Sequence, residues 1–285
     1  MSDISLLTLV SGRREHLHNL LKGVRDQVQK PREVVIVCMN EPVPTELPDP
    51  GCPMYLHELN DADNALPLAA ARNLAAANAQ GSVLGFLDVD CIPHPDYIKQ
   101  LEHAVQLSHG LVMGDVKYLP REATRGNWNY DSLDRLAQAH PRRPAMPKDR
   151  TLARLPYHLF WSLSFGLRAT DFARLGGFDR QYTGYGGEDT DFAFMARRIR
   201  LPFFGCQARV YHQYHASYSP PYNHLTDIVA NANRFYTKWQ IWPMTGWLKQ
   251  FEAEGYIRWT ATTIEVLREV DPATVAAAKS DSPFG

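Results

Sequence analysis

The first forty residues alternate between two β-prone segments and one amphipathic helical segment. Residues 4–10 form an apolar run that stops at Ser11-Gly12, and residues 33–38 form a second run rich in branched side chains. A strand–helix–strand unit of this size requires a parallel pair of strands with a right-handed crossover. The chain is therefore predicted to be an α/β protein with a mainly parallel, mixed sheet flanked by helices. The apolar positions that predict a helix over 15–29 are Leu17, Leu20, Leu21, Val24 and Val28.

The alternation of strands and helices continues to about residue 215. Helices are predicted over 66–79, with Asn64 as N-cap and Gly81 just beyond the end, and over 96–108. Strands are predicted over 111–114 and 160–166, and the polar, proline-broken segment 120–156 is typical of a long excursion or lid. The aromatic-rich residues after Tyr214 predict a helical extension that packs on the main domain.

Composition excludes some functions. The chain of 285 residues has 30 basic and 31 acidic side chains, a formal charge of −1, so no basic excess is available to bind nucleic acid. The basic pairs are typical of solvated faces, and at most one would contact a phosphate; they are Arg13-Arg14, Arg142-Arg143 and Arg197-Arg198. Four cysteines without a CxxC pair indicate free thiols in a reducing compartment. No secretory leader or membrane-spanning run is present, which predicts a soluble, cytoplasmic protein and leaves peripheral membrane contact open.

The apolar run over residues 83–93 ends in two carboxylates, Asp88 and Asp90. Ionised groups resist leaving water, so a buried strand does not ordinarily finish this way. The carboxyl ends of strands are where open α/β sheets bind ligands, and Mn²⁺ or Mg²⁺ takes carboxylate oxygens together with substrate phosphates. We interpret the pair as a metal–diphosphate site, the alternative being two solvated loop carboxylates.

Two later segments also carry chemistry. Tyr185 is surrounded by glycines in residues 182–187, which permits close backbone approach to a ligand, and Glu188, Asp189 and Asp191 follow directly. A helix predicted over 192–200 makes N-terminal capping the alternative function of these carboxylates. The β-prone segment 208–215 contains two histidines, which are either structural residues or ligands for an ion such as Mn²⁺; they are His212 and His215.

Four motifs in order resemble an inverting, metal-dependent glycosyltransferase of the GT-A fold, in the broad family-2 group. They are Leu9-Val10-Ser11-Gly12-Arg13, Ala70-Ala71-Arg72-Asn73-Leu74-Ala75, Asp88-Val89-Asp90 and Gly186-Gly187-Glu188-Asp189-Thr190-Asp191. The last also resembles the C-terminal region of galactosyltransferases. The resemblance implies a catalytic domain over 1–217, with a nucleotide-binding half (1–118) and an acceptor-binding half (119–217), and a helical extension over 218–285.

The resemblance also implies roles for individual residues. Ser11, Arg13, Asn40 and Glu41 would lie at the nucleotide, although Asn40-Glu41 departs from the acidic pair common in the family and leaves the base open. Arg72 would steady the diphosphate. Asp90, assisted by Asp88, would bind Mn²⁺ or Mg²⁺, with His212 or the competing His215 completing the site. The residues implied on the acceptor side are Tyr185, Gly186, Gly187 and Asp191, with Asp189 as general base and Glu188 as partner to sugar hydroxyls, two roles that are exchangeable.

The implied reaction is one displacement at an anomeric carbon. The donor would be a nucleotide sugar, with UDP favoured by the galactosyltransferase-like segment, and the acceptor a hydroxyl of a glycan or glycolipid. An ordinary Asp pKa of about 3.9 would keep Asp189 ionised at pH 7. The alternatives are a sugar nucleotidyltransferase, for which Ser11-Gly12-Arg13-Arg14 is a poor phosphate loop, and a nucleotide-sugar-binding scaffold without catalysis.

Overall fold

A computed structural model describes residues 2–62, 65–147, 149 and 151–284 of the chain. The strands are β1 Ile4–Val10, β2 Glu33–Met39, β3 Met54–Leu59, β4 Val83–Leu87, β5 Cys91–Pro93, β6 Leu111–Tyr118, β7 Gln138–Ala139, β8 Ala153–Arg154, β9 Ser164–Arg168, β10 Phe203–His212, β11 Ser217–Tyr218, β12 Ile257–Trp259, β13 Ile264–Val266 and β14 Lys279–Ser280. The α-helices are α1 Arg14–Arg25, α2 Leu68–Ala77, α3 Tyr97–Ser108, α4 Tyr130–Leu136, α5 Ala169–Leu175, α6 Glu188–Arg198, α7 Leu225–Trp239, α8 Thr245–Ala253 and α9 Pro272–Ala277.

The main sheet has the strand order β3-β2-β1-β4-β9-β6-β10-β5, with β7 beside β6 and β8 beside β10. Strand β1 pairs in parallel with β2 and β4, β2 pairs in parallel with β3, and β6 pairs in parallel with β10. Strand β9 is antiparallel to both β4 and β6, so these two strands run in the same direction. The predicted mixed, mainly parallel sheet is confirmed, and the carboxyl ends of β1, β2, β4, β6 and β10 meet at one edge.

Both faces of the sheet are covered, as a parallel sheet requires. Side chains of β1 alternate between the two layers: Ile4 and Leu6 pack with α1 and α3, whereas Leu7 and Leu9 pack with α2, α5 and α6. The second layer contains stacked phenylalanine pairs, among them Phe86 on Phe165 at 4.5 Å and Phe178 on Phe192 at 4.2 Å between ring centroids. This aromatic packing fixes the start of α6 against the central strands.

Several local predictions differ from the structure. Helix α1 ends at Arg25, and Val28, predicted on its buried face, is 72% exposed. The predicted single run over 83–93 is two strands, β4 and β5, separated by a turn that carries both aspartates. Strand β3 was not predicted. Helix α6 begins at Glu188, four residues earlier than predicted, because its acidic first turn suits the positive end of the helix dipole. The predicted N-cap Asn64 lies outside the described residues.

The C-terminal extension contains more than helices. Helices α7 and α8 and the β12–β13 hairpin share an apolar cluster of their own, and Phe235 and Trp239 of α7 pack on Phe194 of α6. The chain then returns to the sheet edge, where Phe284 contacts Tyr118. Among the described helices, none combines the length and apolarity required to cross a bilayer. The predicted domain boundaries stay a prediction, since one sheet runs through both predicted halves of residues 1–217.

Candidate active site

The carboxyl edge of the sheet brings together residues that are far apart in the sequence. Asp88 and Asp90 follow β4, Tyr118 ends β6, and His212 ends β10. The antiparallel strand β5 begins at Cys91 and pairs with the end of β10, with Cys91 opposite His212. The turn between β4 and β5 is thereby fixed beside the histidines, at the edge where α/β sheets bind ligands.

Asp90, His212 and His215 form a cluster suited to a divalent cation. The Nε2 atoms of the two histidines lie 3.6 Å (His212) and 3.5 Å (His215) from the Asp90 carboxylate, and one potential ligand atom from each residue lies within 4.8 Å of the others. Burial lowers the pKa of His212 to about 4, so its imidazole is neutral and its lone pair is available at pH 7. Its buried Nδ1 has no hydrogen-bond partner among the described residues. One carboxylate and two imidazoles are a donor set that fits Mn²⁺.

The pKa of Asp90 is held well below its ordinary range. Burial alone would raise it, but His212, His215 and Arg13 stabilise the ionised form. Arg13 forms an ion pair with Asp90, which places the predicted nucleotide-binding arginine against the predicted metal ligand. Both histidines face Asp90, so the structure brings together both predicted candidates. Within the described part of the chain, the cluster consists of Asp90, His212 and His215, and Asp88 does not belong to it.

Arg72 connects the metal side of the site to the carboxylates of α6. This arginine, 4% exposed, donates a hydrogen bond of 3.0 Å to Glu188 and one of 2.9 Å to the Ser162 hydroxyl. Its Nη2 lies 3.6 Å from Asp88 Oδ1. A buried guanidinium shared by two carboxylates fixes their relative position. Arg72, predicted to steady the diphosphate, is in this structure the bridge between β4 and α6. No sequence signal pointed to its partner Ser162.

Among the carboxylates at the start of α6, Asp189 has the pKa that is shifted most from its ordinary value. Burial and the neighbouring charge of Glu188 raise its pKa to about 7, against the opposing effects of Arg72 and Thr190. The expectation of an ordinary pKa near 3.9 was wrong, because burial and the adjacent Glu188 carboxylate raise the pKa by more than Arg72 lowers it. The Asp189 Oδ1 accepts hydrogen bonds from Thr190, and its Oδ2 has no hydrogen bond within the described residues. Asp189 is therefore better placed than Glu188 to accept a proton.

The residues predicted at the nucleotide base lie at the ends of β1 and β2. Glu41 accepts a 2.7 Å hydrogen bond from the Gly12 amide, which ties the two strand ends together. Asn40 adopts a left-handed φ of 55°, and its side chain bonds to the backbone of Ala65 and Asp61. Ser11 is half-buried in the segment between β1 and α1. These residues form one continuous border of the site, and their contact with a nucleotide stays a prediction.

The glycine-rich loop before α6 approaches the C-terminal extension. Gly184 and Gly186 have φ values of 68° and 92°, and a Cβ atom on Gly184 would lie 2.3 Å from the Asp227 carboxylate. A Cβ on Gly186 would lie 2.8 Å from Met244 Sδ. Asn231 of α7 donates to the carbonyls of Thr183 and Tyr185. The sequence predicted that the backbone of this loop approaches a ligand. In the structure, this backbone instead approaches α7 and the loop that follows α7.

Two of the predicted acceptor-side residues differ in accessibility. Asp191 is 1% exposed and accepts hydrogen bonds from Tyr182, Lys238 and Trp239. Its carboxylate therefore stabilises the fold through contacts within the protein. Tyr185 is 37% exposed. Its ring stacks on His224 at 4.6 Å and lies 6.0 Å from the Trp247 ring, two residues that the sequence had not singled out.

The fold is that of a GT-A protein, and comparison with known proteins gives the family. The family model of the glycosyltransferases described as "Glycosyltransferase like family 2" matches residues 51–222. The chain belongs to this family. Validoxylamine A glucosyltransferase from Streptomyces hygroscopicus subsp. jinggangensis (strain 5008) is 30% identical over 158 residues, which cover 47% of this chain and 36% of that protein. The enzyme from subsp. limoneus matches at the same identity over 34% of its length, so the match spans about a third of these relatives.

Solved structures support the fold at low sequence identity. Residues 1–349 of TarS from S. aureus superpose with a TM-score of 0.52 at 14% identity, covering 81% of this chain and 64% of that one. GalNAc-T7, solved with UDP, GalNAc and Mn²⁺, has a TM-score of 0.54 at 14% identity and covers 88% of this chain and 54% of that one. These likenesses confirm the predicted GT-A fold.

Proposed function

We propose that this chain is an inverting, metal-dependent glycosyltransferase. It transfers a sugar from a nucleoside-diphosphate donor to a hydroxyl of a glycan or glycolipid. Membership of glycosyltransferase-like family 2 and the similarity to two glucosyltransferases support the transfer reaction. A UDP-linked donor is favoured because TarS and GalNAc-T7, which share the fold, were each solved with UDP.

One observation supports this proposal above all: two carboxylate sites with different chemistry lie on opposite sides of one buried arginine. On one side, Asp90 with His212 and His215 offers ligands for a cation. On the other, Asp189 offers a carboxylate of raised pKa. Arg72 contacts the Asp88 and Glu188 carboxylates between them. A displacement reaction requires this separation, because the leaving group and the attacking hydroxyl lie on opposite faces of the sugar.

Asp90, His212 and His215 would hold Mn²⁺, or Mg²⁺ in its place, with Asp88 at the margin of the site. The bound ion would neutralise charge that develops on the leaving nucleoside diphosphate. Asp189 would accept the proton of the acceptor hydroxyl through Oδ2 as that oxygen bonds to the anomeric carbon. Glu188, held by Arg72, would orient sugar hydroxyls. One displacement at the anomeric carbon inverts its configuration and requires no covalent enzyme intermediate.

The nucleotide and acceptor are assigned to different parts of the site. Ser11, Arg13, Asn40 and Glu41 would border the nucleoside, in the half formed by residues 1–118. Tyr185, with Gly186 and Gly187 shaping the loop beneath it, would form the acceptor floor, together with the rings contributed by the extension at His224 and Trp247. A half-exposed aromatic stack is suited to the apolar face of a sugar ring.

The first test is hydrolysis of a panel of nucleotide sugars by the purified protein with Mn²⁺ and with EDTA. We expect Mn²⁺-dependent release of the nucleoside diphosphate from a subset of donors. Asp90→Asn should reduce this release by about 100-fold or more, since it removes the ionised ligand. Asp115→Asn is the matched control, because Asp115 is also buried but pairs with Lys117 and Arg209 and lies outside the cluster.

Each alternative predicts a different result with the purified protein, in this assay or with other substrates. A scaffold without catalysis would bind a nucleotide sugar but release no diphosphate. A sugar nucleotidyltransferase would release pyrophosphate from a nucleoside triphosphate and a sugar phosphate. Equal release by the wild type with Mn²⁺ and with EDTA, or equal release by wild type and Asp90→Asn with Mn²⁺, would contradict the metal-dependent proposal.

A further inference from the structure

Arg143 is partly buried, and the end of its guanidinium has no partner in the described part of the chain. Its Nη1 and Nη2 atoms are both shielded from solvent and form no hydrogen bond with a described residue. It also forms no ion pair with a described carboxylate. Shielding these two nitrogens is costly, because they have lost hydration without gaining a counter-charge. This arrangement indicates a site for an anion that is not part of the described residues.

The surroundings of Arg143 are neutral and rigid. Its guanidinium lies over the Trp161 ring, with 5.0 Å between its central carbon and the ring centroid, and its amide donates to the His140 carbonyl. The Tyr118 hydroxyl is its polar neighbour: burial raises the pKa of Tyr118 to about 12, against the charge of Arg143 and its contact with this hydroxyl, so Tyr118 stays neutral at physiological pH and supplies no counter-charge. The His140 ring packs on Trp161 at 4.9 Å and on Tyr118 at 5.4 Å. These contacts hold the guanidinium in place while leaving its charge unmatched.

Arg143 borders the candidate metal cluster on the side away from the predicted nucleoside. The Tyr118 ring lies 4.8 Å from the His212 ring, and the Cys91 thiol, next to Asp90, is close enough to Arg143 for its pKa to be affected by that charge. Tyr118 ends β6, which β4 and β9 separate from β1, where the predicted nucleoside residues begin. If a nucleotide reaches both the cluster and Arg143, the part of it that contacts Arg143 is therefore the end farthest from the nucleoside.

We propose that Arg143 binds the distal phosphate of the nucleoside diphosphate at this site. The inference rests on the proposed function, and it gives one arginine of the pair 142–143 a role in binding the leaving group. Arginine suits this role because its planar fork matches two phosphate oxygens and it is always protonated. Arg142, the adjacent residue, is exposed and provides a matched control.

The test compares UDP with UMP, which lacks the distal phosphate, by calorimetry with Mn²⁺ present. Arg143→Gln should weaken UDP binding by about 10- to 100-fold, the range of one lost charge-assisted contact, and change UMP binding less than twofold. Arg143→Lys, which keeps the charge but not the fork, should give an intermediate loss for UDP. Arg142→Gln should change neither affinity.

The outcomes separate this inference from the proposed function. Wild-type protein that binds neither nucleotide would contradict the proposed function itself. Wild-type binding with unchanged UDP affinity in Arg143→Gln, or an equal loss for UDP and UMP, would overturn only the role of Arg143. Thermal melting supplies a further check: Arg143→Gln should melt no lower than wild type, because the substitution removes an unpaired buried charge. Loss of folded protein in both Arg143 variants would show that the guanidinium serves the fold, and would also overturn the proposal.

Discussion

At the scale of single residues, Asp189 shows how position changes chemistry. A carboxyl group with a pKa of about 7 is a stronger base than an ordinary aspartate and is still partly ionised at neutral pH. Burial is the main cause, and the charge of Glu188 adds to it. Glu188 also takes the hydrogen bond of Arg72, whereas Asp189 has Thr190 as its only side-chain donor among the described residues. The proposed base is thus made more basic by its neighbour.

This shift predicts a pH dependence of transfer. Below pH 7, kcat/KM should fall about tenfold per pH unit, because only ionised Asp189 can accept the proton. Asp189→Asn should reduce kcat by about 100-fold or more and abolish this limb of the profile, while nucleotide binding by calorimetry is unchanged. A wild-type profile that is flat from pH 7 down to pH 5 would remove Asp189 from the proposed role.

The same shift predicts a stability effect with a definite sign. The folded pKa of Asp189, about 7, exceeds the unfolded value of 3.8, so its contribution to stability is greatest below pH 3.8 and is lost as pH rises through 7. Asp189→Asn should therefore raise the melting temperature more at pH 8 than at pH 5. Thr190→Ala, at the adjacent position but without a titrating group, should change the melting temperature by a similar amount at both pH values.

At the scale of elements, α6 depends on α7 for its position. Asp191 on α6 is buried against Lys238 and Trp239 of α7, and Asn231 holds the loop that precedes α6. The loop carries glycines because its backbone has positive φ and touches α7 directly. The C-terminal extension therefore supports the turn that presents Glu188 and Asp189.

Gly184→Ala tests this dependence. The new methyl group would approach the Asp227 carboxylate to 2.3 Å at a backbone φ of 68°. Gly126→Ala is the matched control, since Gly126 has a φ of 71° with nothing within 4 Å of the added Cβ. Both variants bear a backbone cost of about 1–2 kcal/mol, and Gly184→Ala should lose a further ~1–3 kcal/mol in urea unfolding through overpacking. It should also raise the acceptor KM; equal stability of the two variants would contradict the close contact.

At the scale of the whole molecule, the sequence predicted what depends on local periodicity. The β1–α1–β2 unit and the parallel sheet follow from apolar spacing. The convergence of Asp90 with His212 and His215 was implied by the resemblance to GT-A glycosyltransferases. The partners of buried charges did not follow: Arg72 reaches Ser162, 90 residues away, and Arg143 was indistinguishable from its solvated neighbour. Such contacts depend on the packing of distant segments, which leaves no periodic trace in the sequence.

The cluster of Asp90, His212 and His215 also predicts a property of the whole fold. It joins the turn after β4 to the end of β10, so a cation bound there should stabilise the folded chain. At Mn²⁺ concentrations about 100 times Kd, linkage gives ~2.7 kcal/mol, or a rise in Tm of roughly 5–10 °C. His212→Gln should abolish the rise, whereas His94→Gln, which alters a half-buried imidazole outside the cluster, should retain it. The measurement is a thermal melt with Mn²⁺ and with EDTA; an equal rise in both variants would place the cation elsewhere.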